Sequence, residues 1–326
     1  MGKGATARVY RSQTRDEPTE TALALKIFSR SPSNVKALAK LEDEAHCMSR
    51  VVHPSVVRLH TFSMAAQIHR QGIDSRPSLA PVLAMELASN GELFPFLSAP
   101  FSIAASRSIF RQLLDALHAC HSAGICHRDV SLMNILVTHS FNLKLGDFGH
   151  AAEIPTGPSP PLLQGSCGTG VYAPPEVVAG RPHNGIKVDV WAAGVVLFIA
   201  LTGHPPWSVA APQDWFFAAF TQGREGDFWK AHSRSSPNIP TEVVDLLTDI
   251  LTDSNRRPTV SWLQSHPWLC GSEGEYVDRL KEEDKAELVA ELKFRSRVMG
   301  KTRAGGVPGN RGCDVDGLRL NGVIQR

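Results

Sequence analysis

The sequence predicts an α+β protein with two lobes, a small strand-rich lobe followed by a larger, mainly helical one. Short apolar segments of strand length occur before residue 87, whereas the later segments are longer and carry apolar residues at helical spacing. At 326 residues the chain is long enough for one domain of roughly 250–300 residues and a tail.

Individual elements follow from the pattern. Strands are predicted at 23–28, 56–62 and 81–87, with an exposed loop over the polar stretch 65–78. A helix is predicted over 102–124, because apolar residues recur there at helical spacing and a glycine ends the segment.

The composition is that of an ordinary globular protein, and a formal net charge of +2 indicates no particular partner. The six cysteines form no CxxC pair, so we expect reduced thiols. No signal-peptide pattern opens the chain, so a cytoplasmic location is expected, with the nucleus also open. The longest apolar run, 190–201, is too short to span a bilayer and predicts a buried core helix.

Three motifs in the middle of the chain indicate its chemistry. His127-Arg128-Asp129 is followed by Asn134 and then by Asp147-Phe148-Gly149. Two short strands, 135–137 and 143–145, are predicted between the last two motifs. Phosphoryl transfer needs a carboxylate that receives the acceptor hydroxyl and oxygen ligands that fix magnesium against the phosphates. These residue types in this order favour a site for phosphoryl transfer.

In order and spacing, these motifs resemble the signature of the eukaryotic protein kinases. The resemblance covers residues 2–269, and the segments NGELF and HPWL are closest in wording to the serine/threonine kinases of the calcium/calmodulin-dependent and checkpoint group. It implies a two-lobed protein kinase fold at 1–269, with a small antiparallel β-sheet lobe carrying one helix at 1–87 and a larger helical lobe at 91–269. A charged tail at 270–326 is expected to be helical at first and then disordered.

The resemblance also assigns catalytic roles. Asp129 would orient the substrate hydroxyl, and Asn134 and Asp147 would hold Mg2+. Lys26 interrupts an apolar strand, where an unpaired charge is costly, so it would grip the phosphates while paired with Glu44. Glu42 is the alternative partner, and a strand-edge lysine facing solvent is the structural alternative.

ATP is the implied phosphoryl donor. A glycine-rich loop would cover it, with Met85 as the gatekeeper beside adenine and the backbone of Glu86 and Ala88 as its hydrogen-bonding edge. Because this loop begins at residue 2, the strand leading into it is expected to be truncated. The implied nucleotide-binding residues are Gly2, Gly4, Val9, Ala24, Lys26, Glu44, Met85, Glu86, Ala88 and Leu136.

Three further contacts follow from the resemblance. Glu176 would pair with Arg257 in a buried ion pair, and Asp189 would hydrogen-bond the backbone of the catalytic loop. His127 and Phe148 would stack with Met48 and Leu59 in the core that links the lobes.

The chain departs from the usual pattern at three positions. Ser131 stands where a lysine normally helps to neutralise the transferring phosphate, Met133 where an acidic residue often recognises basic substrates, and Gly170 where a proline is usual. Two functions therefore stay open, an active serine/threonine kinase and a catalytically weak pseudokinase that binds nucleotide or partners. A small-molecule kinase is disfavoured by the CGTGVYAPPE segment.

The expected partners are protein substrates that present serine or threonine, and no specific nucleic-acid or membrane partner is indicated. Segment 273–291 is predicted to be helical. The basic segment 293–303 is either a solvated face or a regulatory docking site. In the activation segment, Gly165 takes the position of the usual regulatory threonine, with Ser166 as the alternative switch.

Overall fold

A computed structural model describes most of the chain. The described residues are 7–13, 22–28, 35–69, 78–154, 162–165, 167–232, 239–270, 275–305 and 319–321. Their strands are, in chain order, β1 (Ala7–Gln13), β2 (Ala22–Phe28), β3 (Leu59–His69), β4 (Ser78–Glu86), β5 (Gly91–Glu92), β6 (Ile125–Cys126), β7 (Ile135–Val137), β8 (Leu143–Leu145), β9 (Ala152–Glu153) and β10 (Arg319–Asn321). Their helices are α1 (Val35–Ser49), α2 (Ile103–Ser122), α3 (Pro175–Val178), α4 (Gly185–Thr202), α5 (Trp215–Thr221), α6 (Glu225–His232), α7 (Thr241–Ile250), α8 (Val260–Gln264), α9 (Pro267–Cys270) and α10 (Glu275–Gly305), with 3-10 turns at Phe94–Phe96 and Gly170–Tyr172.

The small lobe is one antiparallel sheet with one helix, as predicted. Its strands lie in the order β1-β2-β4-β3-β10, and α1 packs against β3 and β4. Lys26 on β2 lies opposite Val9 on β1, and Ala24 lies opposite Met85 on β4. This register brings four of the predicted nucleotide-binding residues to neighbouring positions on the sheet.

The exposed loop predicted over 65–78 is wrong in its first part. Strand β3 continues to His69, and Ala66 and Ile68 are buried in a small cluster with Leu25 and Val82. Ala66 and Ile68 are two positions apart, so both side chains point to the same face of the strand. Their apolar contacts there stabilise the strand beyond its predicted end.

The large lobe is built around α4. Of its 18 residues, 89% are buried, so this apolar helix is a core helix, as predicted. Asn184 caps its N-terminus by accepting hydrogen bonds from the N–H groups of Ile186 and Lys187, and Gly203 ends it with φ +80°. α2 packs against α4, and Ser102 caps α2 by accepting a hydrogen bond from the N–H of Ala105.

The tail differs from its prediction at two places. α10 continues through the basic segment to Gly305 instead of ending near residue 291, because its second half makes contacts with the large lobe that are described below. Residues 319–321, expected to be disordered, form strand β10 and pair with Gln67–His69 of β3. The unpaired edge of β3 offers the backbone groups that this strand uses.

Candidate active site

The catalytic loop is held by a buried aspartate on α4. Asp189 accepts hydrogen bonds from the N–H of His127 at 2.9 Å and the N–H of Arg128 at 2.6 Å. His121, at the end of α2, lies 2.8 Å from the same carboxylate and was not foreseen from the sequence. Arg128 has φ +61°, an uncommon conformation for a residue with a side chain, and these hydrogen bonds hold the loop in that shape. The predicted role of Asp189 is confirmed.

Both carboxylate oxygens of Asp129 have hydrogen-bond donors. Asn134 Nδ2 donates to Oδ2 at 2.8 Å, and the hydroxyl of Thr169 donates to Oδ1 at 2.8 Å. Asn134 Nδ2 also reaches the carbonyl of Asp129 at 2.7 Å. The carboxylate is therefore fixed in direction, with a charge that can attract a hydroxyl proton.

Thr169 was missed as a site residue. The CGTGVYAPPE segment around it stands out in the sequence, but no role was predicted for its hydroxyl. Its position forty residues after Asp129 gives no local signal, and only the hydroxyl type, in a segment expected to face substrate, could have suggested the contact.

Asp147 lies beside the catalytic loop in a constrained conformation. Its φ is +58°, and the N–H of the preceding Gly146 donates to the carbonyl of Asn134 at 2.8 Å. Burial opposes ionisation, but Lys26 and the N–H of Gly149 prevail and lower the pKa of Asp147. The two predicted metal ligands, Asn134 and Asp147, are thus joined through adjacent backbone.

The predicted partner of Lys26 is confirmed as Glu44. Lys26 Nζ lies 2.7 Å from Oε1 and 2.9 Å from Oε2 of this carboxylate, and 3.0 Å from Asp147 Oδ1. The alternative, Glu42, is exposed, and the Lys26 side chain is only 14% exposed. Although burial acts in the opposite direction, the two carboxylates raise the pKa of Lys26 and keep it charged.

The site has the charge that a divalent cation requires. Three acidic side chains, Glu44, Asp129 and Asp147, lie in this site, and Lys26 pairs with two of them, Glu44 and Asp147. Oxygen donors of this kind suit Mg2+, and the amide oxygen of Asn134 adds one without charge. The residues present therefore fit the metal that the sequence predicts.

On the adenine side, the structure brings the predicted apolar residues into the region between the lobes. Ala24, Met85 and Ala88 are buried, whereas Val9 and Leu136 are partly exposed. Leu136 on β7 lies opposite Glu92 on β5. Gly2 and Gly4 lie outside the described residues.

The backbone of Glu86 and Ala88, predicted to bind adenine, already makes hydrogen bonds within the protein. The N–H of Glu86 donates to the carbonyl of Arg58 at 2.9 Å, and the carbonyl of Ala88 accepts from the N–H of Gly91 at 3.1 Å. The Glu86 side chain lies 3.0 Å from Lys144 Nζ. The side chain of Glu86 therefore serves the junction between the lobes.

Ser131 and Met133 both contact the protein interior, but to different extents. Ser131 is fully buried, and within the described residues its hydroxyl has no hydrogen-bond partner. Met133 packs against the core. Neither side chain adds a charge to the site.

The C-terminal end of the activation segment, which runs from residue 147 to 176, contacts the core of the large lobe. Arg257 Nη2 donates to Glu176 Oε2 at 2.8 Å, and the guanidinium stacks 4.6 Å from the ring of Trp191. The predicted ion pair is confirmed. His127 and Phe148 are both buried in the core, as predicted, and their ring centroids lie 4.9 Å apart.

Near its N-terminal end, the activation segment contacts α1. Glu153 on β9 lies 3.0 Å from His46 and 2.7 Å from Arg50. Arg128 Nε donates to the carbonyl of His150 at 2.8 Å. This ion-pair set was not foreseen, and Ser166 lies outside the described residues.

Comparisons with known proteins agree with this geometry. Residues 1–269 match the family described as protein kinase domain. The chain is 32% identical over 274 residues to the putative CBL-interacting protein kinase 27 of Oryza sativa subsp. japonica, which covers 82% of this chain and 62% of that protein. It is 32% identical over 276 residues to CBL-interacting protein kinase 4 of the same organism, covering 82% of this chain and 56% of that protein.

A third relative is the probable serine/threonine-protein kinase MARK-B of Dictyostelium discoideum, 32% identical over 247 residues, 73% of this chain and 31% of that protein. The chain thus spans less than two thirds of the length of these relatives. Because the family match extends over well more than half of the chain and its motifs meet in one site, the chain belongs to the protein kinase domain family.

Proposed function

We propose that this protein is a serine/threonine protein kinase that transfers the γ-phosphoryl group of Mg-ATP to a protein hydroxyl. The observation that carries the proposal is the Asp129 carboxylate, held on both oxygens by Asn134 and Thr169. A carboxylate fixed in this way orients an incoming hydroxyl and accepts its proton as the phosphoryl group is transferred.

Lys26 would bind the phosphates of the nucleotide. Its ammonium is already fixed between Glu44 and Asp147, so little reorganisation is needed when an anionic ligand arrives. The buried side chains of Ala24 and Met85 would line the adenine pocket, and the N–H of Ala88 would donate to the base.

Asn134 and Asp147 would hold Mg2+, as the donor set above favours. When bound, the metal supplies positive charge that neutralises the phosphate oxygens. Within the protein, Lys26 keeps the Asp147 carboxylate ionised and ready to coordinate.

The choice of serine or threonine as acceptor is supported by the relative MARK-B, which is named a probable serine/threonine-protein kinase. Met133 is partly buried against the core and offers no carboxylate to a basic substrate side chain. The proposed substrates are therefore proteins presenting serine or threonine, without a requirement for a basic residue at the position that Met133 would read.

The test is a transfer assay with radiolabelled ATP, Mg2+ and a degenerate peptide array, with Asp129→Asn as the matched control. We expect labelled serine or threonine peptides with the wild type. We expect the variant to lose more than about 90% of turnover while nucleotide affinity stays within about twofold. A variant that keeps more than a tenth of the wild-type rate would contradict the role of Asp129.

A pseudokinase is the second candidate, and the observation that favours it is Ser131. A buried hydroxyl there supplies no positive charge to a transferring phosphate. Electrostatic stabilisation by a preorganised donor is worth about 2.7–4 kcal/mol. Nucleotide binding by the wild type, with no labelled peptide in the array, would establish this alternative.

A cytoplasmic location and a regulatory docking role for segment 293–303 stay proposals. Of the basic residues in this segment, Lys293 and Arg297 are exposed on α10 and could meet a partner. Arg295 is not available, because it is bound to the large lobe.

A further inference from the structure

Helix α10 lies beyond residue 269, where the family match ends, yet it packs on the large lobe. Leu288 and Leu292, one helical turn apart, are fully buried, and the helix packs against α2. Burial of these two side chains removes apolar surface from water and stabilises the contact. α10 is therefore docked, with one face committed to the lobe.

The first half of α10 is anchored by a buried carboxylate. Asp284 is 2% exposed and accepts from Arg107 Nε at 2.7 Å and Nη2 at 3.0 Å. It also pairs with Arg111, whose Nε donates to the carbonyl of Leu269 at 2.9 Å. The helix is thus joined to α2 and to the last turn of the kinase domain.

The second half contacts a different part of the lobe through Arg295. Its guanidinium donates to the carbonyls of Phe96 at 2.9 Å, Ala99 at 2.7 Å and Pro100 at 2.7 Å. It also stacks on the buried ring of Phe101, 4.0 Å from the centroid. Three carbonyls and one ring are therefore held by one side chain that is 11% exposed.

Glu291 supports the same segment. Its Oε1 accepts from the N–H of Ser102 at 3.0 Å, at the N-terminus of α2, and its Oε2 accepts from Arg295 at 2.9 Å. A carboxylate at a helix N-terminus also interacts favourably with the helix dipole. Together the two side chains fix the backbone of residues 96–102.

That backbone continues directly into the catalytic cleft. The N–H of Leu93 donates to the carbonyl of Ile135 at 2.7 Å, and the N–H of Phe94 donates to the carbonyl of Leu132 at 3.1 Å. Ile135 precedes Leu136, one of the predicted nucleotide-binding residues. Segment 93–102 is therefore hydrogen-bonded to the region of the catalytic loop at its N-terminal end and to α10 at its C-terminal end.

We propose that Arg295 is a positioning residue for the nucleotide-binding edge of the cleft, so that the working catalytic unit extends through α10. The expected effects on KM and kcat rest on the proposed kinase function. The expected effects on ATP affinity and on the ordering of residues 93–102 do not require phosphoryl transfer. Loss of the guanidinium would release three carbonyls and let this segment move relative to Leu136.

The experiment compares the full chain with Arg295→Ala and Arg295→Lys, and uses Arg297→Ala, exposed on the same helix, as the matched control. The readouts are the Kd for ATP in the presence of Mg2+, the KM for ATP, kcat, and amide hydrogen exchange in residues 93–102. For Arg295→Ala we expect Kd and KM to rise about fivefold, kcat to stay within about twofold, and exchange in this segment to accelerate.

Arg295→Lys should recover part of the loss, because an ammonium can donate to the carbonyls but lacks the planar fork. It also keeps the test open if the alanine variant does not fold. Unchanged Kd and unchanged exchange in 93–102 would overturn the proposal, and so would a rise in kcat, which would make α10 inhibitory. If the wild type binds ATP but transfers no phosphate, the kinase proposal fails while Kd and exchange still decide the role of Arg295.

Discussion

Lys26 Nζ lies within 3.0 Å of both Glu44 on α1 and Asp147 in the large lobe. One ammonium therefore joins the sheet, the helix of the small lobe and the loop that carries Asp147. Because Lys26 and Glu44 are largely buried, this contact defines the relative position of the elements that would surround the phosphates.

Lys26→Met should reduce phosphoryl transfer by about a hundredfold or more, because the phosphates lose their fixed partner. Nucleotide affinity should fall much less, since the apolar pocket is intact. Steady-state assays and ATP titration would measure both, with Lys40→Met, at an exposed position on α1, as the control. Full activity in Lys26→Met would assign the role to another lysine, with Lys3 to be tested next.

Phosphatase treatment should leave most of the kinase activity intact. Arg128 already donates to the carbonyl of His150, and Glu153 already links the activation segment to His46 and Arg50, so a phosphate is not needed for these contacts. Activity before and after treatment, with phosphate removal checked by mass spectrometry, is the measurement. Activity lost in Ser166→Ala and restored in Ser166→Asp would contradict this expectation.

The unfolding free energy should fall as the pH drops below about 6.5, in part through His232. Burial first, and then the adjacent His204, lower the pKa of His232 to about 4, so the folded state keeps it neutral. The contribution of neutral His232 to the unfolding free energy is fully present above its pKa in the unfolded state. It is lost as the pH falls from there toward its pKa in the folded state. Between pH 7 and 5 the loss is about 2 kcal/mol.

Urea unfolding of His232→Phe at pH 7 and pH 5 tests the assignment. The variant keeps a ring among Phe198, Phe216 and Phe228 but cannot bind a proton. Its stability should therefore depend less on pH than that of the wild type or of His139→Phe, an exposed control. Equal slopes in all three proteins would show that His232 does not carry the effect.

Asp284→Asn should lower the unfolding free energy by about 3–5 kcal/mol, because two arginines would lose their buried counter-charge. Glu287→Gln, at an exposed position on the same helix, should change it by less than about 0.5 kcal/mol. Chemical unfolding followed by circular dichroism gives both values. Similar stabilities for the two variants would mean that α10 is not anchored through Asp284.

The sequence by itself determined the family resemblance, the two lobes and the central residues of the site. Asp129, Asn134 and Asp147 could be predicted because they stand in short motifs at a recognisable spacing, and Lys26 could be predicted because it interrupts an apolar strand. The choice of Glu44 over Glu42 followed from the spacing to His53-Pro54. Two residues turn a helix by about 200°, so one of these glutamates is buried while the other is exposed.

Only the tertiary structure decided the contacts that join distant segments. Thr169 reaches Asp129 across forty residues, and Arg295 reaches Phe96 across 199, so neither contact leaves a periodic or local trace in the chain. The extension of β3 and of α10 likewise depends on partners that bury their apolar side chains. Local patterns predict elements and motifs, whereas burial and long-range hydrogen bonds, which arise only on folding, decide where those elements end and which residues meet.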